Sequence, residues 1–479
     1  MKKITLNYIY NLIYQIITLI IPIITAPFLA RTLKAEASGI YNYTASIVYW
    51  FTLAGMIGIT MYGNIEIAKV RDNKEKLSNK FCEIFSLQFL TNFICLLVFF
   101  CIFSFLKYDY KTVLLIQGVS ILSTMFDISW FYYGMENIKK ISIRNILIKV
   151  LNILVILILI KKPSDLILYS VISVSFGLIG QFMLWLGIKK YVDFKKVNFK
   201  NIIKHLKPAF LLFVPQIAIS IYSMLDRTMI GLFVEDVSEV SFYTKAQQFV
   251  HMFLFTITSI GTILMPRIVN MNAKKEKEKS MKYINTSFDL AMLLSFPMTM
   301  GLIAIAPFFI NWFLTAEYAK TAYLIIILAP IIISISLTNV LGIQFLIPME
   351  KTKEYTISVT ASAIINFICN LILIPLLNSY GAITGTLVAE FSVLAIQVYY
   401  TKDQINFKEK IKIGSKYLCF SIIMFMFMYL IGHKMGISFL TNIVQFLCGG
   451  TIYVILLIIS KDSFVKYVIE IFKKKKGNK

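Results

Sequence analysis

The chain has 479 residues, 58% of them hydrophobic and only 15% charged, with 48 Lys and Arg against 25 Asp and Glu. A soluble domain carries about a quarter charged residues, so too little polar surface is present to cover a globule of this length. That excludes a soluble globular protein. Repeated apolar runs of the roughly 20 residues that cross a bilayer predict an all-α, polytopic membrane protein.

Charge clusters and Pro/Gly breaks divide the chain into fourteen predicted spans, near residues 6–30, 38–62, 81–105, 112–133, 145–160, 166–188, 209–233, 243–265, 284–310, 321–346, 356–377, 381–400, 416–432 and 439–460. The first run follows Met-Lys-Lys and lacks a small-x-small cleavage site, so it reads as a retained helix rather than a signal peptide. The six cysteines, Cys82, Cys95, Cys101, Cys369, Cys419 and Cys448, lie in apolar runs without metal-ligand spacing and read as small core hydrophobes. No metal and no cofactor is expected.

With the N-terminus in the cytoplasm, the cytoplasmic connections and tails, with Lys416 at the edge of span 13, hold 37 Lys and Arg, the outer connections 8, and the span interiors 3 (Lys149, Arg227 and Lys245). This is the asymmetry of the positive-inside rule, and it predicts both termini on the cytoplasmic side. It also accounts for the net charge of +23 without nucleic acid, because basic stretches such as 273–282 and 473–476 would face an anionic inner leaflet.

Self-comparison finds the chain repeating itself. Lys74-Glu75-Lys76 matches Lys275-Glu276-Lys277, Tyr41 in GIYNYTA matches Tyr243 in SFYTKAQ, and MENIKKISI (135–143) matches MEKTKEYTI (349–357). Each pair falls between equivalent spans of two six-span units in the same orientation. The expected organisation is an N-terminal six-helix lobe (1–198), a second six-helix lobe (199–402), and helices 13 and 14 with a basic cytoplasmic tail (403–479).

Several residues then stand out for chemistry. Span 7 carries Asp226 and Arg227 side by side in SMLDRTMIG. Helical neighbours lie 100° apart, so the two charges face different ways. Arg227 shares a stripe with Gln216, Ser220, Ser223 and Gly231, which predicts that it faces an aqueous cavity; Asp226 points to a neighbouring helix, with Lys245 as candidate partner. A charge within the bilayer costs at least about 2.5 kcal/mol and is retained for a partner, water or a ligand. Arg suits a diphosphate through its two-pronged donor geometry. Arg227 therefore reads as a headgroup contact or as part of a structural ion pair, and Arg31 as a headgroup contact or an interfacial anchor. Lys149 reads as a phosphate contact or as the partner of Asp127. Glu390, in span 12, is a candidate ion-coupling carboxylate, with Asn366 and Asn370 one turn apart on span 11. Pro22, Pro27, Pro215 and Pro330 mark places where spans could bend.

An enzyme that handles lipid-linked sugars is the competing reading. The longest outer connections, 234–242 and 311–320, run only about ten residues, and Glu235, Asp236 and Glu239 form a short acidic turn. The histidines His205, His251 and His433 are far apart, and no GxxxxGK[ST] motif is present. A polymerase or glycosyltransferase is disfavoured on these grounds.

APFLARTLKAEASGIYNYT (26–44), FYYGMENIKKISIRNI (131–146), LDRTMIG (225–231) and SFYTKAQQ (241–248) resemble the Wzx-type repeat-unit flippases, in the polysaccharide-export branch of the multidrug/oligosaccharidyl-lipid/polysaccharide exporter superfamily. LKAEASG (33–39) departs from the Leu-Gly-Pro/Ala-type turn usual there. The resemblance implies an alternating-access flippase of a bacterial cytoplasmic membrane and not an enzyme. Its cargo would be an undecaprenyl-diphosphate-linked oligosaccharide for capsule or O-antigen, moved from inner to outer leaflet. Membrane lipids, the polymerase and other polysaccharide-assembly proteins are implied partners, and spans 13 and 14 would groove the lipid tail. A lipid II flippase and a drug or cation exporter of the same superfamily remain alternatives.

Overall fold

The computed structural model describes residues 2–462 and residue 464, and every regular element among them is helical. The first compact unit, up to Ser241, holds α1 (Lys2–Thr32), α2 (Lys34–Met56), α3 (Ile59–Val70), α4 (Lys74–Phe105), α5 (Lys111–Met125), α6 (Ser129–Gly134), α7 (Ile138–Leu159), α8 (Leu166–Trp185), the short α9 (Phe199–Ile203) and α10 (Leu206–Phe233). The second unit, from Phe242, holds most of α11 (Ser238–Ala273), then α12 (Lys277–Phe313), α13 (Ala319–Leu328), α14 (Ile331–Thr338), a π-helical turn (Asn339–Leu346), α15 (Thr352–Leu377), α16 (Ser379–Thr401), α17 (Phe407–Met435) and α18 (Phe439–Ile459). Among the described residues, 11 helices are long and apolar enough to cross a membrane, or up to 12 when the pair bent by 44° at Pro330 counts as one span. The protein is thus a multi-pass membrane protein. Helices α10 and α11, 28 and 36 residues long, lie at the seventh and eighth predicted positions.

Four elements differ from expectation. Residues 31–37, predicted as an outer loop, are helical apart from a sharp turn in which Lys34 takes a φ of 62°. The chain thus makes the turn without the glycine that such a backbone favours. The fifth span begins at Ile138 rather than 145, because Ile141 and Ser142 are buried and extend the packed face toward the charged turn. The second and fourth spans are each broken. In the second, Ile57 and Gly58 take φ of 40° and 80° between α2 and α3; in the fourth, α5 stops at Met125 and α6 restarts at Ser129. Pro22 and Pro27 lie inside α1 without interrupting it. The side chain of Pro215 is outside the described residues.

A broken span frees backbone carbonyls that must be satisfied inside the protein. Helix α4 supplies the donors for both breaks. Buried Asn92 donates from Nδ2 to the Gly55 carbonyl at 3.0 Å, and Thr91 donates from Oγ1 to the same oxygen at 2.6 Å. Gln88, fully buried, donates from Nε2 to the carbonyls of Thr124 (2.7 Å) and Asp127 (2.8 Å), while its Oε1 accepts from Trp130 Nε1 at 2.7 Å. Around these polar stitches, Ile59, Phe81, Ile84, Trp130, Phe131 and Tyr132 belong to one buried apolar core of the first unit.

Two of the matched segments end their helices in the same way. After α6, Glu136 takes a φ of 52°, with its N–H bonded to Tyr133 O and that of Asn137 to Tyr132 O. At the aligned position Glu350 takes a φ of 61°, bonding Ile347 O, and Lys351 bonds Leu346 O. Both are Schellman endings, with a left-handed residue closing the helix. The matched Met-Glu sequences therefore encode matched turns.

By packing, α10 belongs with the first unit although it opens the second sequence repeat. Glycines explain the close fit: a Cβ on Gly58 would overlap the backbone of Ala209, and one on Gly231 would overlap the Tyr43 ring.

Candidate functional site

The SMLDRTMIG stretch occupies the last two turns of α10, where the helix lies along α2. The hydroxyls of Ser220 and Tyr49 share a hydrogen bond of 2.8 Å. A little over two turns on, Trp50 Nε1 donates to Thr228 Oγ1 at 3.1 Å, and Thr228 Oγ1 donates to Ser46 Oγ at 2.9 Å. Gly231 completes the seam against Tyr43. The expectation that this stripe is a cavity wall is therefore corrected at Ser220, which makes a polar contact with α2, and at Gly231, which packs on the Tyr43 ring. The physical reason is that the buried hydroxyls on α2 need partners. Asp226 is fully buried. Arg227 and Gln216 are half-buried, and the side chain of Ser223 lies outside the described residues. Lys245 is buried in α11.

Arg31 is exposed at the end of α1 and donates from Nη1 to the Pro27 carbonyl at 3.0 Å. Lys149 does not pair with Asp127. Its Nζ donates to Thr18 Oγ1 at 3.0 Å and stands 4.9 Å from the Tyr14 ring centre. Packing of α7 on α1 thus gives this cation a hydroxyl and a π face. Asp127 instead caps α6, accepting from the Ser129 N–H at 2.8 Å. The cation near Asp127 is Arg144, which sequence reading placed in a loop and so passed over. Its guanidinium feels the charge of Asp127 and the phenols of Tyr133 and Tyr14, and its Nε is buried with no hydrogen-bond partner among the described residues. The signal was present: the apolar run begins at Ile141, before the arginine. Cationic groups with aromatic faces and an unfilled donor suit a phosphorylated or hydroxyl-rich ligand.

In the second unit, α15 and α16 pack along their lengths. Asn366 and Asn370 are fully buried on α15, with Asn370 Nδ2 donating to Asn366 Oδ1 at 3.2 Å, and Asn370 lies against Gly385 of α16. Glu390 is buried on α16 and its main-chain carbonyl accepts from Ser334 Oγ at 2.6 Å. These residues belong to one buried polar seam that also contains Ser358, Ser362 and Gln397.

The remaining feature is a cavity of about 410 Å³ whose walls are almost entirely apolar. Its floor is α12 (Leu293, Pro297, Gly301) and its sides come from α17 (Met424, Met428) and α18 (Gly450, Tyr453). Helix α17 is held there by ion pairs at one end: Lys410 with Asp289 of α12 at 2.7 Å, and Lys416 with Asp462 just after α18. The last two helices, with α12, thus line a greasy hollow.

Residues 4–272, more than half of the chain, match the model of a family described as polysaccharide biosynthesis protein, and residues 212–372 match the MatE family model. A protein of Escherichia coli (strain K12), provisionally named an O-antigen transporter, is 23% identical over 403 residues, covering 83% of this chain and 96% of its own length. A protein of Shigella dysenteriae with the same name is 22% identical over 366 residues, covering 75% and 90%. Of solved structures, the lipid II flippase MurJ in an inward closed conformation matches with a TM-score of 0.78 at 17% identity, over 96% of this chain and 100% of that one. An inward-facing multidrug resistance MATE family transporter of the MOP superfamily matches with a TM-score of 0.57 at 12% identity, over 82% and 99%. The structural matches establish the fold, and the proteins so named are transporters and flippases, not enzymes. With a family match that begins at residue 4 and runs through every helix of the first unit, this chain belongs to the polysaccharide biosynthesis protein family.

Proposed function

We propose that this protein flips an undecaprenyl-diphosphate-linked oligosaccharide from the inner to the outer leaflet of a bacterial cytoplasmic membrane by alternating access, for capsule- or O-antigen-type polysaccharide. The observation that carries the reading is the pairing of two unlike environments in one chain. Lys149 set against the Tyr14 ring and Arg144 with its unfilled Nε suit a phosphorylated sugar, and the apolar hollow of α12, α17 and α18 suits an isoprenoid tail. The relatives named for O-antigen transport support the same reading.

The full arrangement is fourteen spans with both termini cytoplasmic: the spans recognised by length and hydropathy plus α10 and α11, in two six-helix repeats (1–198 and 199–402) and an added pair (403–479). The positive-inside count supports this orientation. Arg227, Arg31 and Lys245, with Gln216 and Ser223 along α10, are assigned to the route of the headgroup. Glu390, with Asn366 and Asn370, is assigned to ion coupling.

Deletion of the gene tests the proposal. The expected result is a lipid-linked oligosaccharide that accumulates on the inner leaflet and is cleared on re-expression. The same intermediate reaching the outer leaflet at wild-type level would refute it. The breadth of the MurJ-like fold favours lipid II as the second reading; accumulation of the peptidoglycan precursor instead would select it.

A further inference from the structure

Where α10 begins, three side chains from three elements meet. His205, the residue before α10, is only 2% exposed. Its Nδ1 lies 2.6 Å from Tyr62 Oη on α3, and its Nε2 lies 2.8 Å from Glu83 Oε2 on α4. Lys204 Nζ holds the other oxygen of Glu83 at 3.1 Å. One helical turn away on both sides, Gly58 at the break between α2 and α3 receives the backbone of Ala209 and Phe213. The start of α10 is therefore held twice against the most strained point of the second span, once by a glycine socket and once by this side-chain relay.

The protonation state follows from the donors. With a neutral imidazole, the Tyr62 hydroxyl donates to Nδ1 and Nε2–H donates to the Glu83 carboxylate, so every polar atom of the ring is satisfied. A second proton on Nδ1 would turn a donor against the phenol and displace its hydrogen. The cations that face the ring, Lys80 from α4 and Lys204 from its own connection, also oppose the charge, while Glu83 favours it. Glu66 of α3 is occupied by Lys69 (2.7 Å) and Lys80 (3.4 Å). Burial dominates, and it holds the His205 pKa below its ordinary value despite Glu83.

We propose that His205 is a proton-binding site that controls how firmly the start of α10 is held to α3 and α4: neutral His205 fastens it, and a proton taken up from the adjoining aqueous phase releases it. No covalent step is involved. The proton joins Nδ1, the Tyr62 contact is lost, and the imidazolium moves to water, where its pKa returns to about 6.5. Release therefore sets in below about pH 6.5 and is absent above it.

The test uses the full-length protein in detergent or nanodiscs. Hydrogen exchange of the peptide covering residues 199–213 is followed by mass spectrometry across about pH 5 to 7.5, corrected for the intrinsic pH dependence of amide exchange. The wild type should be protected at the upper end and lose protection with a midpoint below about 6.5. His205→Gln should remove the pH dependence. Tyr62→Phe, which deletes one neutral hydrogen bond, should raise the midpoint by about half a unit to one unit. Protection constant over the range in the wild type, or a Tyr62→Phe midpoint identical to that of the wild type, would overturn the proposal. Because only three histidines are present, a labelled-histidine NMR titration reads the same site directly if His205→Gln folds poorly. Turnover of lipid-linked oligosaccharide in proteoliposomes should follow the same midpoints. Absence of any flipping alongside an intact exchange midpoint would count against the flippase reading and leave the proton site standing.

Discussion

Two adjacent glycines on α18 give the apolar hollow a direct test. A Cβ on Gly449 would collide with Met428, whereas a Cβ on Gly450 meets nothing within 4 Å, and Gly450 lines the hollow. Gly450→Phe should therefore place a ring in the space without disturbing the helix, and replacing a helical glycine itself adds roughly 0.5–1 kcal/mol. A dry cavity of about 150 Å³ accommodates benzene, so one phenyl takes about a third of the 410 Å³ present. The tail gains nothing hydrophobic on leaving the bilayer for the hollow, so the effect is steric. Forcing methylenes against the new ring costs about 1–3 kcal/mol, as in an overpacked core, or roughly 5- to 150-fold in rate. The assay pairs export of lipid-linked oligosaccharide with thermal unfolding of the purified protein. Gly450→Phe should unfold at or slightly above the wild-type temperature and export at least about fivefold less. Gly449→Phe should lose stability outright. Wild-type export by a fully folded Gly450→Phe protein would remove the hollow from the transport route.

Charge reversal Arg227→Glu should abolish export while Arg227→Lys retains part of it; wild-type polymer at the cell surface in the reversed variant would count against contact with a diphosphate. Glu390→Gln should make export insensitive to collapse of the ion gradient, and an unchanged dependence on that gradient would end the coupling assignment. Tyr49→Phe and Ser220→Ala each remove the hydrogen bond between these two hydroxyls, and a double-mutant cycle read by thermal unfolding should give a coupling of about 0.5–1.5 kcal/mol. Strictly additive effects would show that the α2–α10 seam is not held there. Acid should also destabilise the whole molecule. A depressed histidine pKa contributes stability that is complete above about pH 6.5 and falls away below it, so the unfolding temperature should drop on acidification less steeply in His205→Gln than in the wild type.

The helices were legible because membrane spans are written in composition: twenty apolar residues leave little choice but a helix. Where spans break was not legible. The Ile57–Gly58 break depends on Asn92 and Thr91, which lie on another helix and reach back to Gly55, and no local pattern at Gly58 announces that compensation. The site was half legible for a related reason. Sequence reading found Lys149 and Asp127 as unusual charges, but it paired them because both sit near the same end of their spans. Which cation meets which anion depends on the rotation of α7, and that rotation puts Lys149 on Tyr14 and leaves Arg144 near Asp127. Glu390, Asn366 and Asn370 were found by rarity alone, since polar groups inside an apolar run need a reason to be there.

The allegiance of α10 bears on how the polypeptide could be divided. A cut at 198, where the internal duplication would invite one, strips α10 away and leaves the sockets at Gly58 and Tyr43 open. A cut at 241, in the first turn of α11, keeps α10 in the same fragment as both sockets. Two genes encoding residues 1–241 and 242–479 should therefore reconstitute a working carrier more readily than two divided at 198, because no helix is then parted from the pocket that its own side chains and backbone fill.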